Sequence, residues 1–195
     1  MSSRTGPQGP IYPGTCRRVP PPGDRSLSIR LITDQARITF SDRFAGPVDQ
    51  NLAFDVGDYV IHRSDGFAAY QLAVVVDDHL DRITHVVRGA DLLYSTPRQI
   101  HLQTLLGYER PAYGHLPIVL DDQGRKLSKQ DKDRPVSADE PLPSLLAAWE
   151  FLSQPTPEWT LQTTDEFWAF ASKNWNTSSL TIPEYNLLDS QSKQN

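Results

Sequence analysis

A continuous apolar run at residues 72–76 (LAVVV) limits most strongly what this chain can fold into. Such a run, rich in β-branched residues, is typical of a strand buried on both faces of a parallel sheet. Asp77, Asp78 and His79 follow it directly, and in open α/β sheets ligands bind at the carboxyl ends of the strands. The run therefore predicts a parallel sheet with a candidate polar site at its edge, although turn-forming aspartates at a strand end give the same pattern.

The surrounding pattern predicts strands interleaved with helices, followed by a small helical segment. Alternating apolar residues predict short strands at 28–32, 36–40, 58–63, 83–87 and 118–120. Thr96 suits a helix N-cap, Pro97 the first helical position and Gly107 the C-terminal end. Leucines and Trp149 at helical spacing predict a helix over 142–152, and a second is expected over 165–171 with Thr163 as its cap. The fold class is therefore α/β.

Composition divides the chain into four predicted parts. Residues 1–24 are rich in proline and glycine and are predicted to be loop; 25–135 hold the strands and 136–189 the helical segment, and 190–195 form a polar tail expected to be disordered.

Charge and length exclude several classes of protein. Among 195 residues, 19 Lys and Arg stand against 24 Asp and Glu, and a net charge of -5 disfavours general coating of a polyanion. No apolar run approaches the ~20 residues that span a bilayer, and the single cysteine excludes an intramolecular disulfide. We expect a cytoplasmic protein that does not contact a membrane.

A basic loop is the most informative short segment. Lys126, Ser128 and Lys129 lie within four residues, directly after a predicted turn at 121–124. Such a loop can close over a triphosphate and neutralise the charge that builds as pyrophosphate leaves. Read alone, the same residues also fit a solvated hairpin end.

Two further pairs of residues are candidates for binding. Arg88 follows a predicted strand and is expected to hold a carboxylate bidentately, through two guanidinium nitrogens, and Tyr70 can add one orienting hydrogen bond. A surface ion pair and a core aromatic residue are the alternatives. Tyr12 and Cys16 form a Y-x3-C pattern, which supplies at most two of the four ligands of a structural zinc site; a lone thiol is the alternative.

Five segments taken together resemble one family. They are FAAYQLAVVVDDH (67–79), VVRGADLL (86–93), STPRQ (95–99), HLP (115–117) and KLSKQ (126–130). In this order they resemble the glutamyl-tRNA synthetase group, class I aminoacyl-tRNA synthetases with a Rossmann-type catalytic domain. The resemblance covers residues 10–175, and the segment after KLSKQ is too short for an anticodon-binding domain. The chain therefore most resembles the short members of the group, which transfer glutamate to queuosine in tRNA(Asp).

The resemblance implies roles for single residues. Tyr70 and Arg88 would contact glutamate, Lys126 and Lys129 would act in the KMSKS-like loop, and Lys129 would bind ATP, which is used with Mg²⁺. Tyr12 and Cys16 would be two zinc (Zn²⁺) ligands at the end of an insertion. The implied partners are glutamate, ATP and tRNA(Asp), and the implied assembly is a monomer.

The chain also departs from the family pattern. The first strand, the HIGH-type motif and the Cys-x-Cys zinc ligands of the family do not appear before Ile11. We therefore expect only the C-terminal part of the catalytic domain, with an incomplete zinc site and weak or no activity alone. A non-catalytic module that binds tRNA or a protein partner, and a fragment of a glutamyl-tRNA synthetase, are the alternatives.

Overall fold

The computed structural model describes residues 4–6, 9–19, 23, 26–121, 123–127, 138–180 and 182. Near the start of the chain, β1 (Thr5–Gly6) pairs antiparallel with β2 (Gly9–Pro10). Residues 11–19 that follow are loop and turn, apart from one bridge between Tyr12 and Gly57. Loop is the structure predicted for residues 1–24, and residues 11–19 agree with it, whereas β1 and β2 were not predicted.

Two antiparallel strand pairs come next. β3 (Ile29–Leu31) pairs with β6 (Tyr59–His62), and β4 (Arg37–Asp42) pairs with β5 (Gly46–Asn51). The strands predicted at 28–32, 36–40 and 58–63 are thus confirmed, whereas β5 was not predicted. A short helix, α1 (Leu52–Asp55), continues directly from β5.

The apolar run at 72–76 is helical, so the strand predicted there is wrong. It lies inside α2 (Tyr70–Leu80), and Gln71 and Val75, four residues apart, form the buried side of that helix. Val75 packs with Leu52, Tyr59 and Leu102 in the main core. An apolar run without alternation fits a packed helix as well as a strand, and here tertiary packing decides. Residues 77–79 consequently lie in the last turns of α2, not at the end of a strand.

A parallel pair of strands follows, which establishes the α/β character of the fold. β7 (His85–Gly89) pairs with β8 (Ala112–Leu116) in parallel, and the connection contains a 3₁₀ helix (Ala90–Ser95) and α3 (Thr96–Leu106). Ser95 precedes α3, so Thr96 is the first helical residue and not the cap. Gly107 ends the helix with φ 69°, as predicted. The strand predicted at 118–120 is wrong, because Leu120 forms only a bridge with Lys126.

The remaining described residues form the predicted helical segment. α4 (Pro141–Phe151) and α5 (Thr164–Asn174) pack through a cluster around Trp149, and a 3₁₀ turn (Thr177–Ser179) follows. The Thr163 hydroxyl caps α5 by accepting a hydrogen bond from the Glu166 backbone N–H at 3.2 Å. Within the described ranges, no helix is long and apolar enough to cross a membrane. The tail at 190–195 lies outside the described residues, and the predicted division into four parts remains a prediction.

Candidate functional site

Arg88 lies near the carboxyl end of β7, and three side chains hold its guanidinium. Nε donates a hydrogen bond to Nε2 of His115 at 3.1 Å. Nη2 donates to Oγ1 of Thr96 at 2.8 Å and to Oε1 of Gln99 at 2.7 Å. The β–α–β connection causes this arrangement, because it places the first turn of α3 and the parallel strand β8 beside β7. Arg88 is therefore fixed on two sides by the fold itself.

His115 and Asp42 lie behind Arg88 and are both fully buried. Nδ1 of His115 lies 2.6 Å from Oδ2 of Asp42. Since Arg88 Nε can only donate, His115 Nε2 must accept, which places the imidazole proton on Nδ1 and directs it at Asp42. The ring is therefore neutral, and its tautomer is set by Asp42 and Arg88, while the Thr96 hydroxyl lies 3.2 Å from the same Nε2.

The charge on Asp42 is stabilised although the residue is buried. Burial alone raises the pKa of this carboxyl, but hydrogen bonds from the His115 side chain and from the backbone N–H groups of Ala45, His115 and Phe44 outweigh it. The pKa of Asp42 consequently lies below its ordinary value, and Asp42 is an anion at neutral pH.

Two glutamines continue the network toward Tyr70. Nε2 of Gln99 donates to Oε1 of Gln71 at 2.9 Å, and both amides are buried. Gln71 immediately follows Tyr70 at the start of α2. Tyr70 is half exposed and makes no hydrogen bond to a described residue. The network from Arg88 therefore ends at the residue next to Tyr70, and the Tyr70 side chain takes no part in it.

No carboxylate among the described residues forms an ion pair with Arg88. Its three hydrogen-bond acceptors are a neutral imidazole, a hydroxyl and an amide. Asp78 is influenced by the charge of Arg88: burial raises the pKa of this carboxyl, and Arg88 lowers it to a smaller extent. Arg88 therefore keeps a positive charge that an anionic ligand can neutralise.

The basic loop is described only in part. The predicted turn is confirmed: Oδ1 of Asp121 accepts hydrogen bonds from the backbone N–H groups of Gln123 and Arg125 at 2.9 and 2.8 Å. Lys126 forms an ion pair with Asp91 of the 3₁₀ helix that follows β7. This contact brings the start of the loop to the segment directly after Arg88. Lys129, the residue predicted to bind ATP, lies outside the described residues together with Ser128 and Gln130.

The close approach of this loop requires a glycine. A Cβ at Gly89 would lie 2.5 Å from Oδ1 of Asp91 and 3.1 Å from Cγ2 of Ile118. Any side chain would push Asp91 away from the position in which it meets Lys126. Gly89 thus allows the strand that carries Arg88 and the basic loop to lie together.

Tyr12 and Cys16, the candidate zinc ligands, lie together. The Cys16 backbone N–H donates to the Tyr12 hydroxyl at 2.7 Å, and the Arg30 guanidinium stacks 4.2 Å from the Tyr12 ring centroid. The hydrogen bond with the Cys16 side chain raises the pKa of Tyr12. Among the described residues, no group of three His, Cys, Asp or Glu side chains could hold a metal ion. These residues therefore do not make a complete zinc site.

The chain matches the family model for class I tRNA synthetases (E and Q), catalytic domain, over residues 22–161. The chain belongs to this family. The resemblance to the glutamyl-tRNA synthetase group and the predicted α/β fold are thereby confirmed.

Individual class I synthetase relatives are similar over most of this chain. A glutamyl-Q tRNA(Asp) synthetase of Aromatoleum aromaticum is 52% identical over 167 residues, which are 85% of this chain and 53% of the relative. One of Dechloromonas aromatica is 45% identical over 181 residues, which are 92% of this chain and 60% of the relative. The chain thus spans between half and two thirds of the length of these two relatives.

A solved class I synthetase structure supports the fold. The glutamate tRNA ligase of Elizabethkingia meningosepticum, crystallised in complex with its amino acid, superimposes with a TM-score of 0.57 at 23% identity. The match covers 82% of this chain and 37% of that structure.

The partners of Arg88 were not predicted from this class I synthetase sequence. Sequence analysis interprets Thr96 as a cap, includes His115, Gln71 and Gln99 only as parts of motif segments, and assigns no role to Asp42. The available signals were a histidine in an otherwise apolar strand and an aspartate four residues before Gly46, a spacing typical of a tight turn.

Proposed function

We propose that this chain carries the amino-acid site of an enzyme that activates glutamate with ATP and transfers it to queuosine in tRNA(Asp). The observation that supports this most is the uncompensated charge of Arg88, held in place at the end of β7 by neutral side chains. The names of the similar proteins supply the choice of glutamate and of tRNA(Asp).

The proposed reaction has two steps. A glutamate carboxylate oxygen attacks the α-phosphorus of ATP, a mixed anhydride forms, and pyrophosphate leaves. The activated carbonyl then passes to queuosine and AMP is released. Mg²⁺ would neutralise the phosphate charge when bound.

The residues of this chain would contribute alignment and charge. Arg88 and Tyr70 bind and orient glutamate, and Lys126 and Lys129 act on the phosphates of ATP. Little covalent assistance is needed for attack on a phosphate, so positioning and neutralisation are the main contributions of the protein. Lys126 would exchange Asp91 for a phosphate oxygen when ATP binds. Tyr12 and Cys16 remain candidate zinc ligands, and no step above depends on zinc.

The test is glutamate-dependent exchange of pyrophosphate into ATP, measured with the native protein in its complete reading frame. We expect exchange with glutamate, and transfer of labelled glutamate to tRNA(Asp) that contains queuosine but not to tRNA(Asp) that lacks it. Arg88→Lys should lower kcat/KM for glutamate about 100-fold, because an ammonium cannot reproduce the three hydrogen bonds that orient the guanidinium. Arg37→Lys, on the exposed face of β4, is the matched control and should behave as wild type.

Two results would contradict the proposal. Pyrophosphate exchange that does not depend on glutamate would show that glutamate is not the amino acid that the enzyme activates. Absence of exchange together with retained binding of tRNA(Asp) in a gel shift would instead favour a non-catalytic tRNA-binding module.

A further inference from the structure

The Asp42–His115 pair joins two distant segments behind the candidate glutamate site. Asp42 ends β4 and His115 lies in β8, 73 residues later, yet both side chains are excluded from solvent. Their contact connects the tip of the β4–β5 hairpin to the strand beside Arg88.

Asp42 is held in one orientation by backbone groups. Its Oδ1 accepts hydrogen bonds from the N–H groups of Phe44 at 3.0 Å, Ala45 at 2.9 Å and His115 at 3.1 Å. Its Oδ2 is left for Nδ1 of His115. The carboxylate cannot turn without losing several hydrogen bonds, and so it fixes both the ring plane and the tautomer of His115.

His115 in turn fixes Arg88, and the donor count shows what is left for a ligand. A guanidinium has five N–H groups. One on Nε goes to His115, and two on Nη2 go to Thr96 and Gln99. The two remaining N–H groups both lie on Nη1, which makes no hydrogen bond to a described residue.

We propose that Asp42 and His115 are positioning residues that lock Arg88 so that it offers only Nη1 to a carboxylate of glutamate. This inference rests on the proposed function. It also corrects the expectation of a contact that uses two guanidinium nitrogens, because Nε and Nη2 already serve the protein. A single-nitrogen contact has no second anchor of its own, and the buried pair provides the orientation that the ligand does not.

The sharpest test is Asp42→Asn, which keeps the size of the side chain. Its amide oxygen can still accept from the hairpin backbone, but its NH₂ then faces His115 Nδ1. The imidazole must accept there, and its proton moves to Nε2, against the Nε–H of Arg88. We expect KM for glutamate to rise about 10-fold to 100-fold through loss of one charged hydrogen bond, whereas KM for ATP changes less than about twofold.

Two variants of His115 keep the test independent of whether Asp42→Asn folds. His115→Gln can donate to Asp42 and accept from Arg88, so it should recover most of the glutamate affinity. His115→Leu removes both contacts and should behave like Asp42→Asn. A merely structural role would move the KM values for glutamate and ATP together, and would not separate Gln from Leu.

A second measurement does not require activity. The Nε–H of Arg88, assigned in ¹⁵N NMR spectra by its loss in Arg88→Lys, should be protected from exchange with water in wild type and in His115→Gln. In Asp42→Asn and His115→Leu it should exchange rapidly. If wild type lacks glutamate-dependent exchange, the proposed function fails, and this signal still decides whether the pair locks Arg88. An unchanged glutamate KM together with a still-protected Nε–H in folded Asp42→Asn would overturn the inference.

Discussion

Two arginines of this protein each donate at least three hydrogen bonds, but the acceptors of one are charged and those of the other are neutral. Arg17, in the N-terminal loop, donates from Nε and Nη2 to the two oxygens of Asp58 at 2.6 Å, and from Nη1 to Asp34 at 2.9 Å. Arg88, at the end of β7, has only uncharged acceptors. The first arginine is surrounded by anions and the second by neutral groups.

The difference separates a structural arginine from a ligand-binding one. The hydrogen bond from Arg17 lowers the pKa of Asp58, and the hydrogen bonds to Asp58 and Asp34 raise the pKa of Arg17. The charges compensate each other and attach the N-terminal loop to β6. The ionised carboxylate of Asp42 reaches Arg88 only through His115, which orients Arg88 without forming an ion pair with it.

The largest effect is expected when Arg88 receives a carboxylate partner, as Arg17 has. Gln99→Glu has nearly the same shape and places a carboxylate on Nη2. We expect KM for glutamate to rise about 10-fold to 100-fold, because an internal anion now neutralises the charge that attracted the ligand. Steady-state kinetics with glutamate and ATP varied separately would show the effect on glutamate alone.

Gln71→Glu is the matched control for Gln99→Glu. It buries the same new charge one residue further along the network, where it does not contact Arg88. If it impairs glutamate binding as much as Gln99→Glu does, then any buried charge harms the site and neutralisation of Arg88 is not the cause.

The reverse change removes the anion from Arg17. Asp58→Asn should lower the free energy of unfolding at pH 7 by about 2 kcal/mol, because it removes the charge of a buried carboxylate that accepts two hydrogen bonds from Arg17. Glutamate KM should stay unchanged. Urea unfolding at pH 7 and activity on the same sample provide the measurement.

The effect of Asp58→Asn on the free energy of unfolding should decrease as the pH falls. The pKa of Asp58 is lowered in the folded protein, so its stabilisation is complete above the unfolded value of about 3.9 and is lost as pH falls below it. The stability difference between wild type and Asp58→Asn should therefore shrink below about pH 4. A difference that stays constant from pH 7 to pH 3 would show that the ionised form of Asp58 does not matter.

Local pattern was sufficient for much of the fold but not for its central helix. Alternation predicted β3, β4 and β6, helical spacing predicted α4, and the capping-box spacing of Thr163 and Glu166 predicted α5. Residues 72–76 are apolar without alternation, so packing of Val75 against the main core decides between helix and strand. Sequence alone carries no such contact.

The candidate site shows the same limit. The sequence pattern identified Arg88 as an arginine at a strand end, and β7 confirms that position. The partners that make Arg88 distinctive come from β4, α3 and β8, and Asp42 meets His115 across 73 residues. Hydrogen bonds between such distant segments follow from topology, which a motif does not contain.

The smallest expected effect comes from a third arginine. Arg37 pairs with Asp49 at 2.6 Å across the β4–β5 hairpin, but the two side chains are 68% and 47% exposed. We expect Arg37→Ala to change neither the urea midpoint nor glutamate KM measurably, because water replaces an exposed ion pair. A loss of stability comparable to that of Asp58→Asn would mean that pairing itself, and not burial of the carboxylate, makes an arginine structural. The difference between Arg17 and Arg88 would then come only from whether an arginine has carboxylate partners, and burial of those carboxylates would not contribute.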